Sequence, residues 1–365
     1  MVEAKLEFIF SEITDPRIER NKRYPLLSII GIVVFGLLGG MDNFTEIEIF
    51  AETREEELKK VLNLSAGIPS HDTIRRVLLM INPKHFHECF IRFIESLTLL
   101  NTKQIAIDGK VSKNSGSNPL HFVSAWCKEN GLVLGQVKVD KKSNEIIAIP
   151  TLLSTLNITG CIISIDAMGC QRKIAQQIID GNGDYLLALK KNHRELYENV
   201  VASFENNELI TNKYVEYDKG HGRRERREYR VITDVDRICK SHDWPGLKSI
   251  IMVISKRTIN EKISIEQRFY LSSVVENAKQ MGTYIRSHWG IENELHWTLD
   301  VTLKDDKTCI RNNYIAENMI ILRRLILNIL KFGKNPKDYL PGARIRCGSI
   351  KYATQMLLKS ASLYA

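Results

Sequence analysis

The stretch that most constrains this chain is Cys161-Ile162-Ile163-Ser164-Ile165-Asp166-Ala167-Met168-Gly169-Cys170-Gln171. Its short β-branched run reads as a buried strand. The run ends on one carboxylate, Asp166. A glycine follows, then a helical pattern of Ile174, Ala175, Ile178 and Ile179 closed by Gly181. Strand, acid, turn and helix are how an α/β fold offers a charged side chain in the crevice beyond a strand's carboxyl end. Packing alone does not put an acid there, because an unpaired carboxylate is costly away from water. A capping or turn aspartate is the plain alternative. A second stretch repeats the design: Gln104-Ile105-Ala106-Ile107-Asp108-Gly109-Lys110 is also an apolar strand ending in Asp-Gly.

A chain of 365 residues accommodates two domains, or one large core with an insertion. The net charge of +9 leans towards a polyanionic partner. The seven cysteines are scattered, with no C-x-x-C pair, and several sit in apolar runs. That excludes a disulfide framework or zinc site and points to a reduced, cytoplasmic protein. The longest apolar run, Leu26 to Met41, is interrupted by Ser28 and four glycines. It is too short to span a membrane and lacks the features of a signal peptide, so it reads as a buried helix with no membrane partner.

Residues 1–100 read as a helical domain, with an amphipathic segment from Phe44 to about Asn63 and another from Phe86 to Leu99. Pro69 and Ser70 start a helix whose Ile74, Val77 and Leu78 face inward. His71, Thr73, Arg75 and Arg76 face outward in a loose helix-turn-helix pattern, which makes them candidate DNA contacts. The alternative is an ordinary helical hairpin with a solvated basic face.

Residues 101–205 carry three strands, a hairpin signal at Asn130-Gly131, a helix from Ser143 to Leu156, the Asp166 strand with its helix, a strand at Tyr185–Leu189 and a helix from Asn192. Three antiparallel strands followed by α-β-α-β is the order of a ribonuclease-H-like fold. Its first and fourth strands lie side by side, and here those strands carry Asp108 and Asp166. Residues 206–273 read as a β-rich insertion with strands near 213–217, 229–232, 250–254 and 268–271 and a turn at Gly220-His221-Gly222. Arg223, Arg224, Arg226, Arg227 and Arg230 suit either phosphate contact or a charged edge strand.

Residues 274–335 are expected to be helical. At about 3.6 residues per turn, Glu292 shares a face with Ile285, Trp289, His296 and Leu299, while Glu294 points away. A carboxylate amid apolar side chains needs a partner, and a metal ion would serve. Gly290 allows a break at this point. A long apolar helix from Asn313 to Phe332 carries Arg323 and Arg324 on one side, and residues 336–365 read as a tail of loop plus one short helix.

With these residues in hand, the chain resembles the bacterial insertion-sequence transposases of the DDE type, in the H-repeat-associated group. The resemblance is carried in chain order by Gly67-Ile68-Pro69-Ser70-His71-Asp72-Thr73, Ile107-Asp108-Gly109-Lys110, Lys142-Ser143-Asn144-Glu145-Ile146, Ile165 to Gln171, Gly183 to Lys190, and His288-Trp289 through Ile291-Glu292-Asn293 and Leu295-His296-Trp297 to Leu299-Asp300-Val301. It implies a mixed α/β architecture: a ribonuclease-H-like catalytic core, a helical N-terminal domain and a β-rich insertion. The triad would be Asp108, Asp166 and Glu292, the three acids that the residues alone had selected, acting as catalytic groups and metal ligands. Three carboxylates suit a hard cation, Mg²⁺ or Mn²⁺, and two such ions would assist an in-line displacement on DNA. His296, one turn beyond Glu292, would back the acids rather than ligate. The implied partner is double-stranded DNA, both element ends and target, bound by a homodimer.

Two departures stand out. Wider relatives carry Tyr, Arg and Lys around the catalytic Glu, where this chain has Ile285, His288 and Leu299, and the segment Val111 to Pro119 does not fit the group's pattern. Three rival readings are a nuclease that cuts without joining, a remnant that binds DNA ends without cutting, and a glycosidase, which would need only two of the acids.

Overall fold

A computed structural model describes residues 1–97, 102–112, 119–139, 145–220, 222–239, 244–307 and 312–360. Among them, helices open the chain: α1 Val2–Phe10, α2 Leu26–Leu38, α3 Phe44–Thr53, α4 Glu55–Leu58, α5 His71–Met80 and α6 Pro83–Glu95. Next come β1 Gln104–Ser112, β2 Leu120–Cys127, β3 Leu132–Val139, α7 Glu145–Leu153, β4 Ile162–Ile165, α8 Arg172–Asp180, β5 Asp184–Leu189 and α9 Arg194–Glu205. Four long strands follow, β6 Asn212–Gly220, β7 Arg223–Ile232, β8 Ser249–Ile259 and β9 Lys262–Ser272, with the one-turn α10 Asp236–Cys239 after β7. The chain closes with α11 Ala278–His288, α12 Trp297–Val301, α13 Asn313–Gly333, α14 Leu340–Arg346 and α15 Ile350–Lys359. Local chemistry sets several helix starts: the side chains of Asn43, Ser70, Asn82, Asn277 and Asn312 each accept a hydrogen bond from a first-turn N–H.

The strands form one mixed sheet in the order β3-β2-β1-β4-β5-β9-β8-β7-β6. β1 and β4 are parallel neighbours, with Ile107 opposite Ile165. Asp108 and Asp166 therefore sit at one level on neighbouring strands, but only Asp166 follows a strand's end: β1 does not stop at Asp108 as expected and runs on to Ser112, with Asp108 opposite Ser124 of β2. β9 joins β5 antiparallel, so the strands of residues 206–273 continue the same sheet.

Several expectations change. The helix expected over 44–63 breaks at Arg54, whose guanidinium lies over the Phe50 ring and donates to the Gly348 carbonyl. β7, which carries the arginines, is not an edge strand. It pairs with β6 on one side and β8 on the other, and β6 is the edge. The β8–β9 turn uses positive φ at Asn260 and Glu261 without a glycine, so it gave no turn signal. The tail forms two helices rather than one.

α13 is buried along most of its length and ties the helical region to the sheet. Asn318 Nδ2 donates to the carbonyls of Leu78 and Ile81, both at 2.9 Å. Asn328 exchanges two hydrogen bonds with the Val133 backbone. Arg323 and Arg324 are not surface charges: both are buried and flank the fully buried Asp305 at 3.7 and 3.6 Å. Among the described residues no helix is long and apolar enough to cross a membrane. The side chains of Cys89, Cys127, Cys161, Cys170 and Cys347 are free and buried, while those of Cys239 and Cys309 lie outside the description.

Candidate active site

Asp108, Asp166 and Glu292 line one pocket of about 560 Å³, together with Lys190, Arg268, His288 and Trp289. Asp166 Oδ1 accepts hydrogen bonds from the Met168 and Gly169 N–H groups at 3.0 and 3.3 Å. The turn role and the pocket position therefore coexist in one residue.

Glu292 reaches the pocket by a route that helical counting missed. α11 ends at His288, and Ile291–His296 is a π-helical segment. The buried side is Ile285, Ile291, Leu295 and Leu299, while Glu292 and Trp289 are exposed. Glu292 thus does not sit in the middle of an apolar face. The wider π turn shifts the phase, so a 3.6-residue count fails across it. Gly290 lies against the Trp126 ring, where a Cβ would come within 2.7 Å of two ring carbons. Glycine here permits a close approach. Glu294 accepts from Lys128 Nζ at 3.0 Å.

The pocket is crowded with negative charge. Burial, then the charges of Asp166, Glu145 and Glu292, push the Asp108 carboxyl up to about 7. Burial also raises Asp166, with Glu145 adding to the rise and Lys190 opposing it. His296 Nδ1 lies 3.9 Å from Asp108 Oδ2, beyond hydrogen-bond range. Burial, aided by Lys110 and Arg324, pushes His296 down to about 3, so it stands beside Asp108 as a neutral ring. Burial likewise pushes His288 down to about 4, and its Nδ1 lies 3.1 Å from Ser164 Oγ. Oxygen donors, mutual repulsion and neutral histidines fit a hard cation. That fit rests on donor chemistry, because no three Asp, Glu, His or Cys side chains among the described residues are grouped closely enough to hold one ion as they stand.

The other candidates disperse. His71 Nδ1 lies 2.5 Å from Glu48 Oε2 and fastens α5 to α3. Thr73 Oγ1 meets Ser70 Oγ at 3.1 Å, while Arg75 and Arg76 are exposed. None of these four lines the acid pocket. The β7 arginines split by strand alternation. Arg223 and Arg227 line a groove with Lys128, Arg257, Arg286 and Glu292, next to the acid pocket. Arg224 and Arg226 lie on the opposite face, and Arg226 donates to Glu228 at 2.8 Å. His221 and residues 113–118 and 140–144 lie outside the described residues.

Sequence reasoning passed over Lys190, Arg268 and Glu145. Lys190 directly follows β5, the position that Asp166 holds after β4. Arg268 lies over the Trp289 ring at 4.6 Å, a contact with no local signal.

The family described as "Transposase DDE domain" matches residues 101–329, which hold all three acids, and that described as "DDE_Tnp_1-associated" matches residues 8–94. The chain belongs to the DDE transposase family. Domains of this family generally use divalent metal ions. The chain is 38% identical over 355 residues to "Putative protein YbfL" of Escherichia coli (strain K12), covering 93% of each. It is 37% identical over 355 residues to "H repeat-associated putative transposase YhhI" of the same strain, again covering 93% of each. "Putative transposase YncI" of Escherichia coli O157:H7 is 37% identical over 354 residues, 92% of this chain and 89% of that one. These relatives place the chain in the H-repeat-associated group.

Proposed function

We propose that this DDE transposase cleaves the ends of a DNA element by metal-assisted phosphoryl transfer and joins the freed 3′-hydroxyls to target DNA, using a ribonuclease-H-like core. The observation that carries the reading is the meeting of Asp108, within β1, and Asp166, just past the end of the neighbouring parallel β4, with Glu292 in one pocket. Asp108, Asp166 and Glu292 would hold Mg²⁺ or Mn²⁺, and two such ions would stabilise the attacking and leaving oxygens of an in-line displacement. Lys190 would present positive charge to the phosphate, while Arg268 at the pocket wall is paired with Glu266 through two hydrogen bonds of 2.8 Å. The neutral His296 and His288 place no competing cation beside the acids. A homodimer holding two ends, in the cytoplasm, completes the reading. A duplex carrying the element's ends, mixed with supercoiled target and Mg²⁺, tests it. Nicking followed by joining is expected. Nicking alone makes the protein a nuclease, and binding without nicking makes it a DNA-end-binding remnant.

The groove beside Glu292 is proposed to carry the flanking strand. Replacing Arg223 and Arg257 by Ala is expected to flatten the log-affinity versus log-salt slope by about 0.9 for each phosphate that is no longer neutralised, with end preference unchanged. Replacing Arg224 and Arg226 flattens it less, since both lie on the opposite face of the sheet from the groove. In the same full-length titration, Arg75→Ala with Arg76→Ala lowers preference for end sequence over random duplex. Equal preference in that variant and the parent would remove α5, and with it His71 and Thr73, from the DNA interface.

A further inference from the structure

We propose that the Lys110–Asp300 ion pair is a clasp that fixes the Glu292 segment against the strand bearing Asp108, and so sets the cation affinity of the pocket; this rests on the metal-dependent reading above. Asp108 and Lys110 are two apart on β1 and point to the same face. Lys110, buried, donates from Nζ to Asp300 Oδ1 at 2.6 Å and lies 3.6 Å from Asp306 Oδ1. One rung along, Asp108 faces His296. Residues 108 and 110 thus meet residues 296 and 300 in parallel. Two strand residues advance about 6.6 Å and four helical residues about 6 Å, so the rungs match.

Glu292 lies one further step of four residues back, in the π segment. A π turn is the least regular part of this helix, and its phase needs an external anchor. The Lys110–Asp300 contact sits directly beyond it. On the far side, Asp305 is held between Arg323 and Arg324 of α13. The segment after Glu292 is therefore gripped by β1 at Asp300 and by α13 at Asp305. A buried ion pair is a poor source of stability, because desolvation offsets its attraction. What it supplies is register: Lys110 Nζ makes its close contact with Asp300 at 2.6 Å, and Asp306 at 3.6 Å holds the same ammonium from the turn that follows. Lys110 and Asp300 are accordingly positioning residues.

The test titrates the full-length protein with Mn²⁺ alone by calorimetry, and follows end cleavage against Mn²⁺ concentration. Asp300→Asn is expected to weaken Mn²⁺ binding about tenfold or more and to raise the Mn²⁺ needed for half-maximal cleavage by a similar factor. Lys110→Arg keeps the pair and stays near the parent. Lys110→Met with Asp300→Asn is no worse than either alone, because the pair acts as a unit. Metal-free duplex binding stays at the parental level. Parental Mn²⁺ affinity in Asp300→Asn, or additive losses in the double variant, would overturn the clasp while leaving the metal reading intact. A parent that binds no Mn²⁺ would overturn that reading and the clasp with it. Asp300 is partly exposed, so its Asn variant carries the test if Lys110→Met fails to fold.

Discussion

Asp108→Asn, Asp166→Asn and Glu292→Gln are each expected to lower end cleavage by about 10³-fold or more, with duplex binding retained. Each substitution keeps the side chain's shape and removes one negative charge from a pocket whose acids already repel one another. A chelator silences the parent, and added Mn²⁺ restores it. The variants do not recover at any Mn²⁺ concentration, because the missing donor belongs to the site itself. Cleavage assays on a labelled end duplex read this directly. Normal cutting by Glu292→Gln together with loss in Glu294→Gln would move the third acid to the groove side, where Glu294 now meets Lys128. Normal cutting by Asp108→Asn would take Asp108 out of the triad.

The two aspartates were legible because their signal is local. An apolar run followed by an acid marks each strand, and the strand order then brings β1 beside β4, although β1 continues past Asp108 to Ser112 and only Asp166 follows a strand's end. Glu292 was legible as a residue but not as a position. Counting assumed a regular helix, and the π segment carries it to the exposed side. The arginines of β7 were visible as charge only. Hydrophobic runs mark the buried ends of β7–β9, whereas the strands extend through residues that pair on the sheet's open part, and β6 has no buried residue. The arginines' division between two faces follows from strand alternation, but which face meets the groove depends on packing against α11 and the π segment, which is not local in sequence. Arg323, Arg324 and Asp305 were missed as a buried group because arginine is exposed by default and its partner is 18 or more positions away in sequence. Glu145 was missed for a similar reason. Its Oε1 lies 2.8 Å from His121 Nε2 behind Gly109, where any Cβ would collide with both side chains. Glycine at 109 reads in sequence as a turn, yet in the fold it makes room for an acid across the sheet from Asp108.

Without metal, Asp108→Asn is expected to melt above the parent at pH 8, by an amount that shrinks as the pH falls towards 4. The Asp108 carboxyl is pushed from its ordinary 3.8 up to about 7 in the folded chain, mainly by burial. Between those values the folded protein holds a proton that the unfolded chain has released. Lowering the pH through this window therefore stabilises the parent, and above about 7 the full penalty of a buried charge remains. Asparagine carries no charge and escapes that penalty. The gap at pH 8 is on the order of 2 kcal/mol, reduced from the full shift because Asp108 keeps some solvent contact. His296 and His288 act in the other direction. Their depressed values of about 3 and 4 cost stability as the pH drops below 6.5, but they do so in both proteins and largely cancel in the comparison. Mn²⁺ then reverses the order. At about 100 times its Kd it adds about 2.7 kcal/mol to the parent and little to the variant, which lacks a ligand. Melting curves at pH 8, 6 and 4, with and without Mn²⁺, read all of this in one series. A gap that does not change with pH would show that Asp108 is not ionised against its surroundings, and the crowding that makes the pocket attract a cation would then have to come from Asp166, Glu145 and Glu292.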